Sequence, residues 1–400
     1  MGARKILKPV RTSQVILSCI SGLVVLVITL IYQNFDYTIS AEDAFISKFS
    51  YWKFKIFSRI PKKNADFVFI NTGRDLALVD DTASAGNIVI SDREKLWRLL
   101  HFINAQATKP AFTVIDLQFY YPYSISPHID TLIQQELDGN ANTLIAILPR
   151  PGNLTEYMLP LYRCKYGFSE YGTYGSGFNK FRIFNRENIH SIPVLLDEML
   201  SHSVYKDHGL FSTCDGHLCM SDIWPSYYLN DQALENNQYL PYAQYYTLGD
   251  LLTGIRYSPG AFAKNLAGKI IMIGNFELDN HSTAIGVLPG SVIVADIYLS
   301  LLNQHHFVNY WFLVICWVVF SGLSWLSWFS KVPELKIRLN FIFSPHLVNL
   351  IKTYISYFGS MFFLSLIAMF FFNMQIALFL PSFIFSLIEY FRQKRYLPKK

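Results

Sequence analysis

Apolar residues gather at the two ends of the chain, and the long stretch between them alternates short apolar runs with polar segments. Val15 to Tyr32 (VILSCISGLVVLVITLIY) carries no charge. A hydrocarbon layer of ~30 Å needs about 20 such residues in helical form, so 15–32 predicts a transmembrane helix. Three further runs predict three more: 308–329, which holds Trp311, Trp317, Trp325 and Trp328; 354–372; and 376–390, with Pro381 inside it and Glu389 at its end. Asn373, Met374 and Gln375 alone separate the last two, which predicts a tight helical hairpin. Arg4, Lys5, Lys8 and Arg11 precede the first run as they would a secretory signal. That run is longer than a signal's apolar core and no small-residue cleavage site follows it, so it reads as an uncleaved anchor.

The stretch 33–307 carries a different pattern. Asp66 to Ile70, Asn87 to Ile90, Phe112 to Asp116, Thr143 to Leu148 and Lys269 to Gly274 are short, nearly continuous apolar runs. Runs of this kind fit parallel strands covered on both faces. Between them, Asp92 to Gln106 has helical spacing, with Leu96, Leu99, Leu100 and Ile103 on one stripe and Ser91 or Asp92 as N-cap. Pro127 to Leu137 and Ile293 to Leu302 predict two further helices. The expected fold class is an α/β extracytoplasmic sensory domain plus an all-α membrane portion of four transmembrane helices. An insertion over 149–237, rich in Tyr, Gly and Phe, is expected to form loops and antiparallel strands.

Charge sets the orientation. The chain has 400 residues, 52% hydrophobic and only 16% charged, against about a quarter charged in ordinary soluble proteins. Its net charge is +5, but 33–307 alone is −6 and the remainder is +11. The basic residues flank the apolar runs, at 1–14, in the 330–353 loop and in the 391–400 tail, and the positive-inside rule puts all three in the cytoplasm. The excess is therefore an address within a lipid bilayer and not an affinity for nucleic acid. The expected location is a bacterial inner membrane, multi-pass, with both termini cytoplasmic and the large domain outside.

The densest chemical cluster holds His202, His208, Cys214, Asp215, His217 and Cys219. Thiolates and imidazoles so spaced could bind a transition metal, with His208, Cys214, His217 and Cys219 as the ligands. In an oxidising compartment a Cys214–Cys219 disulfide is the simpler expectation, and free thiols remain a third reading. The Gly167–Gly177 stretch lacks the Gly-Lys-Ser/Thr ending of a phosphate loop. Asp279, His281 and Ser282 form the one trio that invites a nucleophilic reading, but residues so close in sequence rarely face one another productively. Asp250 is expected to N-cap the helix beginning at Leu251.

Two segments resemble a known family. Ile115-Asp116-Leu117-Gln118-Phe119 after a helix, then Leu248-Gly249-Asp250-Leu251-Leu252-Thr253-Gly254, Leu266 to Gly274, Asp279, Pro289-Gly290, Ala295 and Leu301-Leu302, are similar in order and spacing to the CHASE-type extracellular sensory domains, second type. The resemblance implies a sensory fold with one transmembrane helix before the domain and three after it. Arg93 stands where that family's turn before the first helix would retain an arginine, although the turn's tryptophans are absent. About ten residues follow the last span, too few for a cytoplasmic output domain. The expectation is a non-enzymatic sensor or scaffold with no cofactor, working with other membrane or periplasmic proteins. A homo-oligomer is expected from the family and from small residues (Ser21, Gly22, Ser321, Gly322, Ser324) that permit close helix packing. Arg93, Asp116 and Asp279 are the expected ligand-binding residues.

Overall fold

In the computed structural model the described residues are 12–33, 42, 49, 52–53, 56, 63–80, 86–147, 149–150, 153–157, 160–169, 171–172, 180–184, 189–209, 211–223, 225–229, 243–283, 285–330, 345–372 and 374–396. They divide into two compact units, one over 1–49 and 307–400, the other over 50–306.

The second unit is built on six parallel strands. These are β1 (Phe67–Asn71), β4 (Phe112–Asp116), β5 (Thr143–Ile147), β8 (Lys165–Phe168), β15 (Ala243–Thr247) and β16 (Ile270–Gly274), in spatial order β15-β1-β16-β4-β5-β8. Alternation sends successive side chains to opposite faces. Val68, Ile70, Ile115, Ile145, Ile271 and Ile273 point to one side, where they pack on α2 (Arg93–Ala105), α3 (His128–Asp138), α5 (Leu248–Tyr257) and α6 (Pro259–Leu266). Phe67 meets Tyr298 of α7 (Gly290–Leu302) on the other side, which α7 shares with α4 (Ile192–Ser201). The predicted α/β class therefore holds, as an α/β/α sandwich buried on both faces.

The helix starts follow local chemistry. Asp92 caps α2, its carboxylate accepting from the Glu94 and Lys95 amides. Thr247, not Asp250, caps α5: Thr247 Oγ1 accepts from the Asp250 amide and donates to Asp250 Oδ2 at 2.6 Å. This is a reciprocal pairing, and it places the aspartate three residues into the helix start.

Two expectations for the sheet change. Asn87–Ser91 (β3) is no parallel core strand; it pairs antiparallel with β2 (Leu76–Asp80), leaving Leu76, Leu78 and Val89 exposed on one face. Only four residues separate β1 from β2, too few for the crossover that a parallel neighbour needs. The insertion does form small antiparallel sheets, β9 (Tyr171–Gly172) with β10 (Lys180–Arg182) and β14 (Asp222–Ile223), and β11 (Tyr205–Asp207) with β12 (Ser212–Cys214) and β13 (His217–Cys219). Yet it also contributes β8 to the parallel sheet and the helix α4.

Among its described residues the first unit contains the helices α1 (Thr12–Gln33), α8 (Tyr310–Phe329), α9 (Pro345–Phe372) and α10 (Phe379–Tyr396). Three stretches, Thr12–Gln33, Tyr310–Phe329 and Leu347–Phe372, are long and apolar enough to cross a membrane. The helix expected over 354–372 starts earlier, at Pro345, absorbing the end of the predicted loop, of which residues 331–344 lie outside the described residues. The helix expected over 376–390 is displaced to 379–396. Pro381 then falls in its first turn, where the missing N–H costs nothing. Glu42 caps this helix from a distant part of the chain, its carboxylate accepting from the Leu378 and Phe379 amides. The charged end continues as helix because Glu389 is paired: Tyr357 Oη donates to it at 2.8 Å, and Arg392 and Gln393 reach it at 3.2 and 3.1 Å. Arg392 also donates to the Leu326 and Ser330 carbonyls at the end of α8. Of the small residues named above, Ser21, Gly22 and Ser321 serve packing within the chain. A Cβ on Gly22 would stand 2.5 Å from the Ser321 amide nitrogen, and Trp328 Nε1 donates to Ser21 Oγ at 3.2 Å.

Candidate functional site

The strand register brings Asn71, Gly274 and Asp116 abreast at the carboxyl edge of β1, β16 and β4. The chain leaves this edge in two directions. From β1 and β4 it goes on to α2 and α3 on one face, and from β16 to α7 on the other. Such a reversal opens a crevice at the strand ends, where open α/β sheets hold ligands.

Asp116 sits at this edge with Ser169 and Ser291 hydroxyls on its carboxyl and the Asp279 carboxyl nearby. Burial first, and the Asp279 charge second, push the Asp116 carboxyl up to about 8, with the two hydroxyls opposing. Asp279 is held from three sides. Its amide donates to Asn275 O, its carbonyl accepts from Gly290 N at 2.9 Å, and its Oδ1 lies 2.8 Å from His281 Nε2. Two glycines make the approach possible. A Cβ on Gly274 would overlap Ser291 Oγ, and one on Gly290 would overlap Asp279 Oδ2. On the β1 side, Asn71 Oδ1 accepts from Gly73 N and Phe276 N, and its Nδ2 donates to Tyr245 Oη at 2.8 Å. The result is a pair of close carboxyls, one inclined to hold a proton, beside an imidazole and two buried hydroxyls. It can accept and release a proton and can hydrogen-bond a polar group.

Of the three expected site residues, the structure unites Asp116 with Asp279 and separates Arg93 from them. Arg93 is only 1% exposed. Its Nη1 donates to Asp130 Oδ1 at 2.7 Å and its Nη2 to the Tyr121 carbonyl. The guanidinium also lies over the Phe119 and Tyr162 rings, at 5.4 and 5.8 Å. Tyr162 Oη and the Tyr123 amide both donate to Asp130 as well. Arg93 thus staples α2 to α3 and the 119–123 loop, with none of its charge left for a ligand. His281, Ser169 and Ser291 complete the site; His281 stands out in the sequence through its trio with Asp279 and Ser282, whereas the two serines carry little signal. Ser169 follows an edge strand, and Ser291 opens a helix that reads as uniformly apolar. Alternation along β17 (Asn280–Thr283) pairs His281 with Asp279 and turns Ser282 to the opposite face, so no nucleophile–base–acid trio forms.

The Cys/His cluster does not assemble. Asp215 and Gly216, at φ 51° and 78°, form the two-residue turn of the β12–β13 hairpin. Its register sets Cys214 opposite His217 and Cys219 opposite Ser212, so the two cysteines are not facing partners. All five cysteines are free, and the expected Cys214–Cys219 disulfide is not formed. Burial pushes the Cys214 thiol up to about 12, which keeps it protonated. His208 stacks on Phe211 and meets Thr213 Oγ1 at 3.0 Å. Among the described residues no three His, Cys, Asp or Glu side chains come together as a metal site, so His208, Cys214, His217 and Cys219 are not a ligand set here.

Fold and site thus define an α/β/α domain with a carboxyl-edge acid pair, on a chain whose described residues include three helices long and apolar enough to cross a membrane. Compared with family models, curated proteins and solved structures, the chain matches none.

Proposed function

We propose that this protein is a non-enzymatic, membrane-anchored sensor or scaffold. Its α/β domain lies outside a bacterial inner membrane and recognises a ligand or partner protein at the Asp116–Asp279 edge. Its helices relay the bound state to a separate partner. Four helices cross the bilayer in this reading, α10 being the fourth, and both termini are cytoplasmic. The observation that carries it is the place of α7 in the chain. Ser291 in the first turn of this helix hydrogen-bonds Asp116, and the helix ends at Leu302, with seven residues between it and the start of α8 at Tyr310. A change in what Asp116 and Asp279 bind therefore acts on the start of the helix that immediately precedes a membrane helix in sequence. The similarity of residues 247–303 to the sensory family supports the same reading, as does the basic flanking of the apolar helices.

A docking subunit of an envelope complex is the second reading, favoured by the exposed apolar face of Leu76, Leu78 and Val89. Co-purification from native membranes separates the two. A partner retained by the wild-type chain and lost in Asp279→Ala supports recognition at the carboxyl edge. A partner lost only in Leu78→Glu supports docking, and a solitary chain under both conditions defeats both readings.

A further inference from the structure

The β2–β3 hairpin is apolar on both faces. Its inner face packs Ala77, Val79, Ile88 and Ile90 on the core. Alternation turns Leu76, Leu78 and Val89 outward, where they are 42%, 55% and 51% exposed. Ile125, 58% exposed, stands by the hairpin tip, because Ser124 Oγ accepts from the Asp80 amide at 3.0 Å. Strands apolar on both faces belong in sheets covered on both sides. Here the described residues cover one side only. The hairpin is a two-stranded sheet of its own, and such a ribbon is marginal until its faces are packed.

The two ends of the outer face carry opposite charges. Asp80, exposed, lies at the tip. Arg74, its side chain 73% exposed, lies at the root, two residues before Leu76. It meets Glu277 through Nε at 3.3 Å, and the rest of its guanidinium fork has donors to spare. Asp75 between them turns the other way, its carboxylate accepting from Lys95 Nζ at 2.6 Å and from the Gly249 amide at 3.0 Å. Along β2 the outer face therefore reads base, apolar, acid. A two-fold axis lying across the strands at the Ala77–Ile90 pair reverses this order. It sets Asp80 of one copy over Arg74 of the other, and Leu78 over Leu76, so the face is complementary to itself as an isologous contact requires.

We propose that the outer face of the β2–β3 hairpin is the contact between two copies of this chain, packed face to face about that axis. Sheets packed in this way lie ~10 Å apart, a gap that an aspartate and an arginine reaching from opposite sides can bridge. Four aliphatic side chains fall short of the ~800 Å² per partner buried in a standard stable complex. Confinement of both copies to one bilayer raises their effective concentration, and the small patch then suffices. The inference rests on the docking reading above and names its occupant as a second copy.

The test is cross-linking of the full chain in lipid vesicles with a short bismaleimide. Val89→Cys should give a covalent dimer well above the background set by the five native cysteines. Tyr257→Cys, 82% exposed at the end of α5, should stay at that background. Within the Val89→Cys chain, Asp80→Arg or Arg74→Asp alone should lower the yield about tenfold, because each turns two attractions into two repulsions. The two together should restore it, and Leu78→Glu should abolish it. Background yield from Val89→Cys, equal yield from Tyr257→Cys, or a double exchange that restores nothing overturns the proposal. If the cysteine variant does not fold, bleaching steps of the wild-type chain with one fluorophore per copy decide: paired steps support the contact, and single steps overturn it. Co-purification reports on the docking reading separately. A foreign partner lost in Leu78→Glu keeps that reading even where the absence of a self-dimer has overturned this one.

Discussion

Replacing Asp116 with asparagine tests the acid pair at its centre. Asp116 has its carboxyl raised from 3.8 to about 8, by burial and by Asp279. A carboxyl raised on folding means that the folded chain takes up a proton, so stability falls as pH rises from 3.8 toward 8. At 1.36 kcal/mol per unit, the span from 3.8 to pH 7 amounts to about 4 kcal/mol. Asp116 keeps some exposure and shares its proton with Asp279, and screening reduces the expected cost to about 1–2 kcal/mol. The introduced amide would be neutral at every pH and could donate to Asp279, so the variant should escape this cost. The measurement is native-state hydrogen exchange of the β4 and β16 amides in the full chain between pH 4 and pH 8. Asp116→Asn should match the wild type near pH 4 and exceed it by about 1–2 kcal/mol at pH 8. A variant weaker than the wild type at pH 8, or wild-type protection that climbs with pH across this range, would show that Asp116 is an ordinary ionised carboxylate and refute the reasoning.

Arg93→Met should destabilise the α/β unit by about 3 kcal/mol, because it leaves Asp130 without its cation while filling the aliphatic volume. Thermal unfolding checks this, and partner binding by the chains that remain folded should be unchanged, since Arg93 lies outside the site. Gly22→Val should separate α1 from α8, because the new side chain would collide with the Ser321 backbone. Oxidative cross-linking between cysteines placed on the two helices should fall several-fold, and cross-linking equal to the wild type would show that the helices do not pack there.

Legibility in the sequence follows burial. β1, β4, β5 and β16 lie inside the sheet with both faces covered, and each is visible as an apolar run. The two edge strands are not. Lys165–Phe168 and Ala243–Thr247 (AQYYT) bury only part of their length and mix polar with aromatic residues. The run at Asn87–Ile90 is legible as a strand but not as a hairpin, because composition reports extended structure and only loop length reports pairing. Asp116 and Asp279 stand out by position, at a strand end and in a following loop. Arg93 misleads because a lone arginine near a helix start looks the same whether it faces a ligand or an aspartate 37 residues away.

The apolar helices follow the same rule. Ser382, Ser386 and Glu389 recur at helical spacing on α10 and are all buried, so they form one inward polar stripe. In composition they only lower the hydropathy of this helix below that of the other three. In the fold, Ser382 and Ser386 return their hydroxyls to the Leu378 and Ser382 carbonyls, while Glu389 meets Tyr357 and Arg392. The polar atoms that weaken α10 as a membrane span when counted one by one are therefore satisfied inside the bundle. What decides whether α10 crosses a bilayer is the face it presents outward, and that face carries Phe383 and Phe391, both about half exposed.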